Sequence, residues 1–443
     1  MINKKPIIVL RGNDICFHGI TKSLAKSGIP FITVIFTWEG AKTWWSENSK
    51  FHKSDIKISN PFTHPNEALI DLIKSGENLI SEWGEPLLTL PSSDTNLMFL
   101  LNNEKVLKPY FKLMGDTEFN SFRNDVAHKY NCFEILSSKN SNLCPITKRC
   151  KSKKDIDTLL EEIPFPAIFK PSTKDYGQSF YTKYKGYKAI ECKNKKDLNI
   201  NLIDCINCNF DLVVQEKIIF DKVEDEIPFY AYVDKNQNIR IAATGIKELI
   251  QPYPFGTANI LRLSWHKELL PIAQEVVKKL RWRGIIMIEF IRDKRNKKWK
   301  VIEINLRPWL FIGFYELFGL RYLATLYDDW NENLKEFDGN IICPSKEIIE
   351  KSPIHVDING IIDNWKNQNQ LNNNSENFDF FYYWLRKYSN FITYPYFDFN
   401  DQEPAIKNIS KIFLNNNFFQ GNLEKYFFNP SSLKNLTEEY KIY

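Results

Sequence analysis

The sequence predicts a mixed α/β and α+β protein: a doubly wound parallel unit first, then a region organised around an antiparallel hairpin that carries two acids. Two observations predict it. Residues 6–35 run strand, loop, helix, strand, the order of a parallel βαβ unit. Further along, 285–290 and 301–307 are apolar runs each interrupted by an acid, and the polar segment 293–298 lies between them, the pattern of a β-hairpin.

Pro6-Ile7-Ile8-Val9-Leu10 is the first strand, and its unbroken apolar run suits a parallel strand covered on both faces. Arg11-Gly12-Asn13-Asp14 is a loop, a helical pattern runs from Ile20 to Lys26 and stops at Gly28, and Ile29–Ile35 is the second strand. In such sheets ligands bind beyond the carboxyl ends of the strands. The glycines form no G-x-G-x-x-G, so the fold carries no dinucleotide claim. Trp38, Trp44 and Trp45 fall just after the second strand, near that carboxyl edge; packing is the reading favoured over substrate contact. Leu87-Leu88-Thr89-Leu90 continues the sheet, and Pro91-Ser92-Ser93-Asp94 opens a helix with good N-cap chemistry.

Residues 121–165 read as helical, then variable and polar. Ile168-Phe169-Lys170-Pro171 ends a short strand and leads into a polar, Gly-containing loop, 172–179. Leu212–Glu216 is a buried strand, 229–247 a hairpin around Asp234–Gln237, and 266–281 an amphipathic helix that enters the acid-bearing hairpin. Past about residue 335 the composition shifts: 366–374 is an Asn-rich tract and 378–384 an aromatic run. No internal repeat is present.

At 443 residues the chain exceeds one compact core. A 43% hydrophobic content and a mean hydropathy of −0.38 are an ordinary balance, and no apolar run is long enough to span a bilayer. The first residues enter a strand and not a signal peptide, so a cytoplasmic location is expected. The net charge of +5 is spread through Lys-rich turns without a basic block, which argues against a nucleic-acid partner. Eight cysteines are scattered; Cys205 and Cys208 form a C-x-x-C without a second pair or neighbouring His, so reduced thiols are expected.

The hairpin carries the chemistry. A turn centred on Asn296 sets Glu289 directly across from Glu303 and puts Asn305 on the face of Glu303. Two carboxylates about 5 Å apart at an effective dielectric near 20 repel by roughly 3 kcal/mol. Folding gains nothing from that, so the pair calls for a compensating cation. Two carboxylates and an amide oxygen are hard ligands, suited to Mg²⁺ shared with phosphate oxygens. Arg307, at the end of the same strand, can grip a phosphate or carboxylate with two parallel hydrogen bonds. Lys170, at a strand end beside a polar loop, adds a phosphate-binding cation.

In this order the motifs Phe165–Pro171, Val213-Val214-Gln215-Glu216, Ala231–Asp234, Gly284–Glu289 and Glu303–Arg307 resemble the ATP-grasp superfamily, and within it the D-aspartate ligase-like carboxylate–amine ligases. The resemblance covers about residues 6–325. It implies an ATP-grasp fold with an N-terminal doubly wound (pre-ATP-grasp) domain over 1–120. An ATP-grasp domain would follow over 121–330, with a lid at about 165–220 and a metal-binding core at about 221–330; 331–443 would be an extension. It also implies ATP and Mg²⁺, with Mn²⁺ as the substitute, and small carboxylate and amine substrates; it admits a homodimer. Lys129 and Lys170 would be the nucleotide lysines. The backbone at Gln215, Glu216 and Lys217 would receive adenine, and Asp221 or Glu224 the ribose. Glu289, Glu303 and Asn305 would hold the metal, Arg307 would stabilise the transferred phosphoryl group, and the loop 172–179 would close over the triphosphate.

Two departures stand out. The hinge continues as Lys217-Ile218-Ile219-Phe220 where the family has an aromatic-aliphatic-Pro-Gly turn, and bulky Pro308-Trp309-Leu310-Phe311 follows Arg307 where small residues are usual. The implied reaction joins a carboxylate to an amine through an acyl phosphate. A small-molecule kinase using the same residues, and a nucleotide-binding module without turnover, are the alternatives.

Overall fold

The computed structural model describes residues 4–37, 44–52, 56–115, 123–138, 142–173, 177–361, 392–398 and 400–408. The Asn-rich tract, the aromatic run 378–384, Trp38 and residues 174–176 of the expected closing loop lie outside these.

Among the described residues, three sheets organise the chain. The first is parallel, with strands β1 (Ile7–Leu10), β2 (Phe31–Phe36), β3 (Ile56–Ile58), β4 (Leu87–Pro91) and β5 (Phe111–Lys112) in the order β3-β2-β1-β4-β5. Every residue of β1 is buried because helices cover both faces. Helix α1 (Asp14–Lys26) starts at Asn13, whose side chain accepts the Cys16 N–H at 3.1 Å, and the chain turns at Gly28 with φ +63°. Helix α2 (Pro65–Trp83) follows β3, and α3 (Asp94–Asn102) starts at the cap Ser93 right after β4. The β1–α1 and β4–α3 turns press together at the carboxyl edge. Gly12 donates to Ser92 Oγ at 2.7 Å, and a Cβ on Gly12 would fall 1.7 Å from Asn96 Oδ1. A larger residue there would displace the Ser93 and Asn96 side chains. Trp44 is buried with the Arg11 guanidinium 4.5 Å above its ring, a packing role.

The second sheet is antiparallel: β6 (Thr147–Cys150), β7 (Ala167–Pro171), β8 (Ile190–Cys192) and β9 (Leu212–Glu216), ordered β6-β9-β7-β8. It has its own apolar core, including Phe169, Phe180, Leu198 and Val214. This unit starts earlier than the expected lid boundary at 165, because β6 pairs with β9 through Lys148↔Val214.

The third sheet is the largest: β10 (Glu226–Val233), β11 (Ile239–Gln251), β12 (Thr257–Ser264), β13 (Gly284–Arg292), β14 (Trp299–Asn305), β15 (Ile354–Val356) and β16 (Ile392–Thr393). Their order is β14-β13-β10-β11-β12-β15-β16. β10 and β11 turn at Asp234–Asn238, near the expected centre of that hairpin. The expected helix 266–281 is a 3-10 turn at Lys267–Leu269 followed by an α-helix at Leu270–Leu280. β12 is a strand that the sequence reading passes over. β15 pairs with β12 and β16 with β15, so the C-terminal segment extends the central sheet. Beyond β16, Tyr396 donates to Asp14 at 2.9 Å, and Asp398 pairs with Lys22 and Lys26 of α1. Among the described residues no helix is long and apolar enough to cross a membrane. All eight cysteines are free thiols, with Cys205 buried and Cys208 exposed.

Candidate active site

One cavity of about 380 Å³ lies where the three sheets meet. β7 and β9 wall one end, the β13–β14 hairpin the floor, and the β4–α3 turn with Arg307 the far end.

At the first end, β7 and β9 pair as Ile168↔Gln215 and Lys170↔Val213. Gln215 is buried; its amide nitrogen donates to Thr147 Oγ1 at 2.9 Å, and its Oε1 has no protein partner. The Glu216 and Lys217 N–H groups are already committed, to the carbonyls of Ile146 and Pro166 at 2.9 Å each. Their side chains are paired too, Glu216 with Arg295 and Lys217 with Glu191, each at 2.5 Å.

Lys170 is buried, and its ammonium donates to the Ile302 carbonyl at 2.8 Å and sits 5.4 Å from the Phe133 ring. Lys129 opens the helix Lys129–Ser137; its N–H donates to the Ser172 carbonyl at 2.9 Å, which anchors that helix to the end of β7. Its ammonium lies 3.6 Å from Glu303 Oε1. Both lysines therefore face the hairpin.

The hairpin register is Glu289↔Glu303 and Met287↔Asn305, with an irregularity just past Glu289. The acids do oppose each other, and the protein itself supplies cations to them. Lys129 attends Glu303, while Lys247 Nζ from β11 lies 2.7 Å from Glu289 Oε2 and 2.7 Å from Glu226 Oε1. Burial works against the Lys247 charge, but the two carboxylates outweigh it and hold its pKa above the ordinary lysine value. Among the described residues no group of three acidic, His or Cys side chains forms a metal cage. Glu289, Glu303 and Asn305 as a donor set still fit Mg²⁺, a hard cation that keeps its other positions for phosphate oxygens and water.

Arg307 forms a fork onto Asp94, Nε to Oδ1 at 2.7 Å and Nη2 to Oδ2 at 2.5 Å, and Nη1 donates to the Pro308 carbonyl at 2.8 Å. Burial lowers the Arg307 pKa, yet Asp94 more than offsets that and raises it. The bulky stretch after Arg307 packs inward: the Trp309 ring centroid is 4.6 Å from Tyr230 and 4.9 Å from Tyr322.

The structure brings Lys129, Lys170, Gln215, Glu216, Lys217, Glu289, Glu303, Asn305 and Arg307 to this cavity. Asp221 and Glu224, expected at the ribose, are not among its walls; both are exposed, and Asp221 pairs with Lys294 at 2.6 Å. They sit ahead of β10, where no strand periodicity fixes their direction. The acid of this segment that does reach the cavity is Glu226, the first residue of β10. Glu226, Lys247 and Asp94 escape sequence reading. For Lys247 the available signal is a charge on the face it shares with Ala243 and Gly245, in a strand that is largely buried. For Asp94 it is the position at a carboxyl strand end.

A parallel N-terminal sheet, a small antiparallel sheet and a large one around a shared cleft are the parts of an ATP-grasp fold, and solved structures show that fold. The chain matches N5-carboxyaminoimidazole ribonucleotide synthetase in its ADP complex with a TM-score of 0.54 and 12% identity, over 77% of this chain and 80% of that one. It matches biotin carboxylase from Campylobacter jejuni with a TM-score of 0.53 and 16% identity, over 77% and 72%. The L-amino acid ligase from Bacillus licheniformis gives 0.52 and 15%, over 74% and 76%. By sequence, the chain is 24% identical over 333 residues to the D-aspartate ligase of Enterococcus faecium (strain Aus0004), covering 74% of this chain and 77% of that protein. No protein-family model matches it.

Proposed function

We propose that the protein is an ATP-dependent carboxylate–amine ligase. The observation that carries this reading is one cavity lined by two lysines, the opposed acids with Asn305, and Arg307. A substrate carboxylate oxygen attacks the γ-phosphorus of ATP and ADP leaves, giving an acyl phosphate. An amine then attacks the acyl carbon, phosphate leaves with the bonding pair, and the amine loses a proton to form an amide.

The chain's work is positioning and charge neutralisation. Lys129 and Lys170 hold the phosphate chain as point charges. Gln215 Oε1 is an acceptor for the adenine amino group, and Glu226 is the acid placed for the ribose hydroxyls. Glu289, Glu303 and Asn305 would hold Mg²⁺, which when bound screens the phosphate oxygens against the incoming carboxylate. Arg307 offers its remaining N–H groups to the transferred phosphoryl oxygens. Sheet β6–β9 caps the phosphates and keeps water from the acyl phosphate.

The test is a panel of carboxylate and amine pairs with Mg²⁺ and ATP, with D-aspartate and L-amino acids first because the similar proteins are named for them. ADP and phosphate are measured and the product weighed by mass spectrometry. An amide product formed one-for-one with ADP is the expected result. A stable phosphorylated product instead would make the protein a kinase, and no ADP above background would remove the enzyme reading.

A further inference from the structure

We propose that Asp94, contributed by the N-terminal sheet, is the positioning residue that sets Arg307 at the reaction centre. What Arg307 does there rests on the ligase reading; how it is held does not. Both residues line the cavity, where Arg307 and Asp94 side chains are 15% and 25% exposed.

A guanidinium has five N–H donors. Three are committed, two to the Asp94 carboxylate and one to the Pro308 carbonyl. Among the described residues that leaves one on Nη1 and one on Nη2, the pair a phosphoryl or acyl-phosphate oxygen needs. The fork onto Asp94 fixes the plane of the group, so these donors are aimed before charge develops and need no reorganisation. A lysine has no such plane to fix.

Asp94 is itself immobilised. It is the first residue of α3, next to the cap Ser93 whose Oγ accepts the Asn96 N–H at 3.1 Å. The turn that carries it is packed against Gly12, where a larger residue would displace the Ser93 and Asn96 side chains. Sequence separation hides this contact, since the partners are 213 positions apart. The N-terminal domain thus completes the site instead of flanking it.

The test uses the full chain labelled with ¹⁵N-arginine, with Asp94→Asn, Arg307→Lys and the double variant. The Arg307 Nε–H signal, identified by its loss in Arg307→Lys, should exchange slowly in the wild type. It should exchange at least tenfold faster in Asp94→Asn while ADP affinity stays within twofold. In turnover, Asp94→Asn should lower kcat at least tenfold with KM for ATP within twofold, and add less than twofold to the loss already caused by Arg307→Lys. A tie that only holds the domains together would lower the melting temperature and multiply with Arg307→Lys. Unchanged exchange in Asp94→Asn, or an undiminished kcat loss in the Arg307→Lys background, overturns the proposal. If the wild type releases no ADP, the ligase reading fails, and the exchange measurement still decides the positioning.

Discussion

Lys247→Met is the most informative single change. Lys247 is enclosed between Glu226 and Glu289, with 2.7 Å contacts to both and 13% of its side chain exposed. Removing its charge leaves two carboxylates facing each other in a partly desolvated cavity. With charge centres about 4 Å apart and an effective dielectric near 20, each lost attraction is about 4 kcal/mol. Part of this returns because the lysine no longer has to be desolvated, and breaking a buried pair by removing one partner costs about 3–5 kcal/mol net. At roughly 2–4 °C per kcal/mol for a domain of this size, the melting temperature should fall by about 10 °C. Lys247→Arg should keep most of it, since the charge stays. Millimolar Mg²⁺ should restore part of the loss in the Met variant, by taking over the neutralisation of Glu289, and do little for the wild type. The assay is thermal melting of the three proteins with and without Mg²⁺. A Met variant that melts within 2 °C of the wild type would refute the argument, because the acids would then be adequately solvated without a partner.

Glu289→Ala and Glu303→Ala should each abolish Mg²⁺-dependent ADP formation while the protein stays folded; a variant turning over at the wild-type rate would take its acid out of the metal set. Lys170→Ala should weaken ATP binding at least tenfold, about 1.4 kcal/mol, in isothermal titration; equal affinity would leave Lys170 a structural lysine held by the Ile302 carbonyl. His355 is buried against Phe311 and Phe314, its pKa pushed down to about 3 by burial and by the Lys22 charge. The unfolded imidazole takes a proton near pH 6.5 and the folded one does not, so its contribution is present above that pH and lost as pH falls towards 3, by up to about 1.4 kcal/mol per pH unit. Denaturant titrations at pH 7, 6 and 5 should show His355→Gln losing less stability than the wild type, and parallel curves would contradict this. A fragment ending at residue 335 lacks β15 and bares the β12 edge, so it should aggregate; a monomeric, active fragment would show the extension to be dispensable.

The Glu289↔Glu303 pairing was legible in sequence because two local rules suffice for it. Side chains alternate along a strand, and a short polar turn fixes the register of a hairpin. The first βαβ unit and Lys170 at a strand end were legible for the same reason: a continuous run of apolar residues with a turn signal at its end. Asp221 and Glu224 lie where that rule stops, in an irregular segment whose side-chain directions depend on what packs around it. Lys247, Glu226 and Asp94 could be assigned only by the fold. Each acts through a partner on a different strand or domain, at distances that chain order does not encode. The same holds for β15, a three-residue strand whose identity comes from the edge of β12 it covers and not from its own composition. The sequence by itself determined that two acids oppose each other across a hairpin and that a lysine sits at the end of a neighbouring strand. Only the tertiary structure decided which charge neutralises which, because Coulomb energies depend on separations of a few ångströms that are set when three sheets close on one cavity.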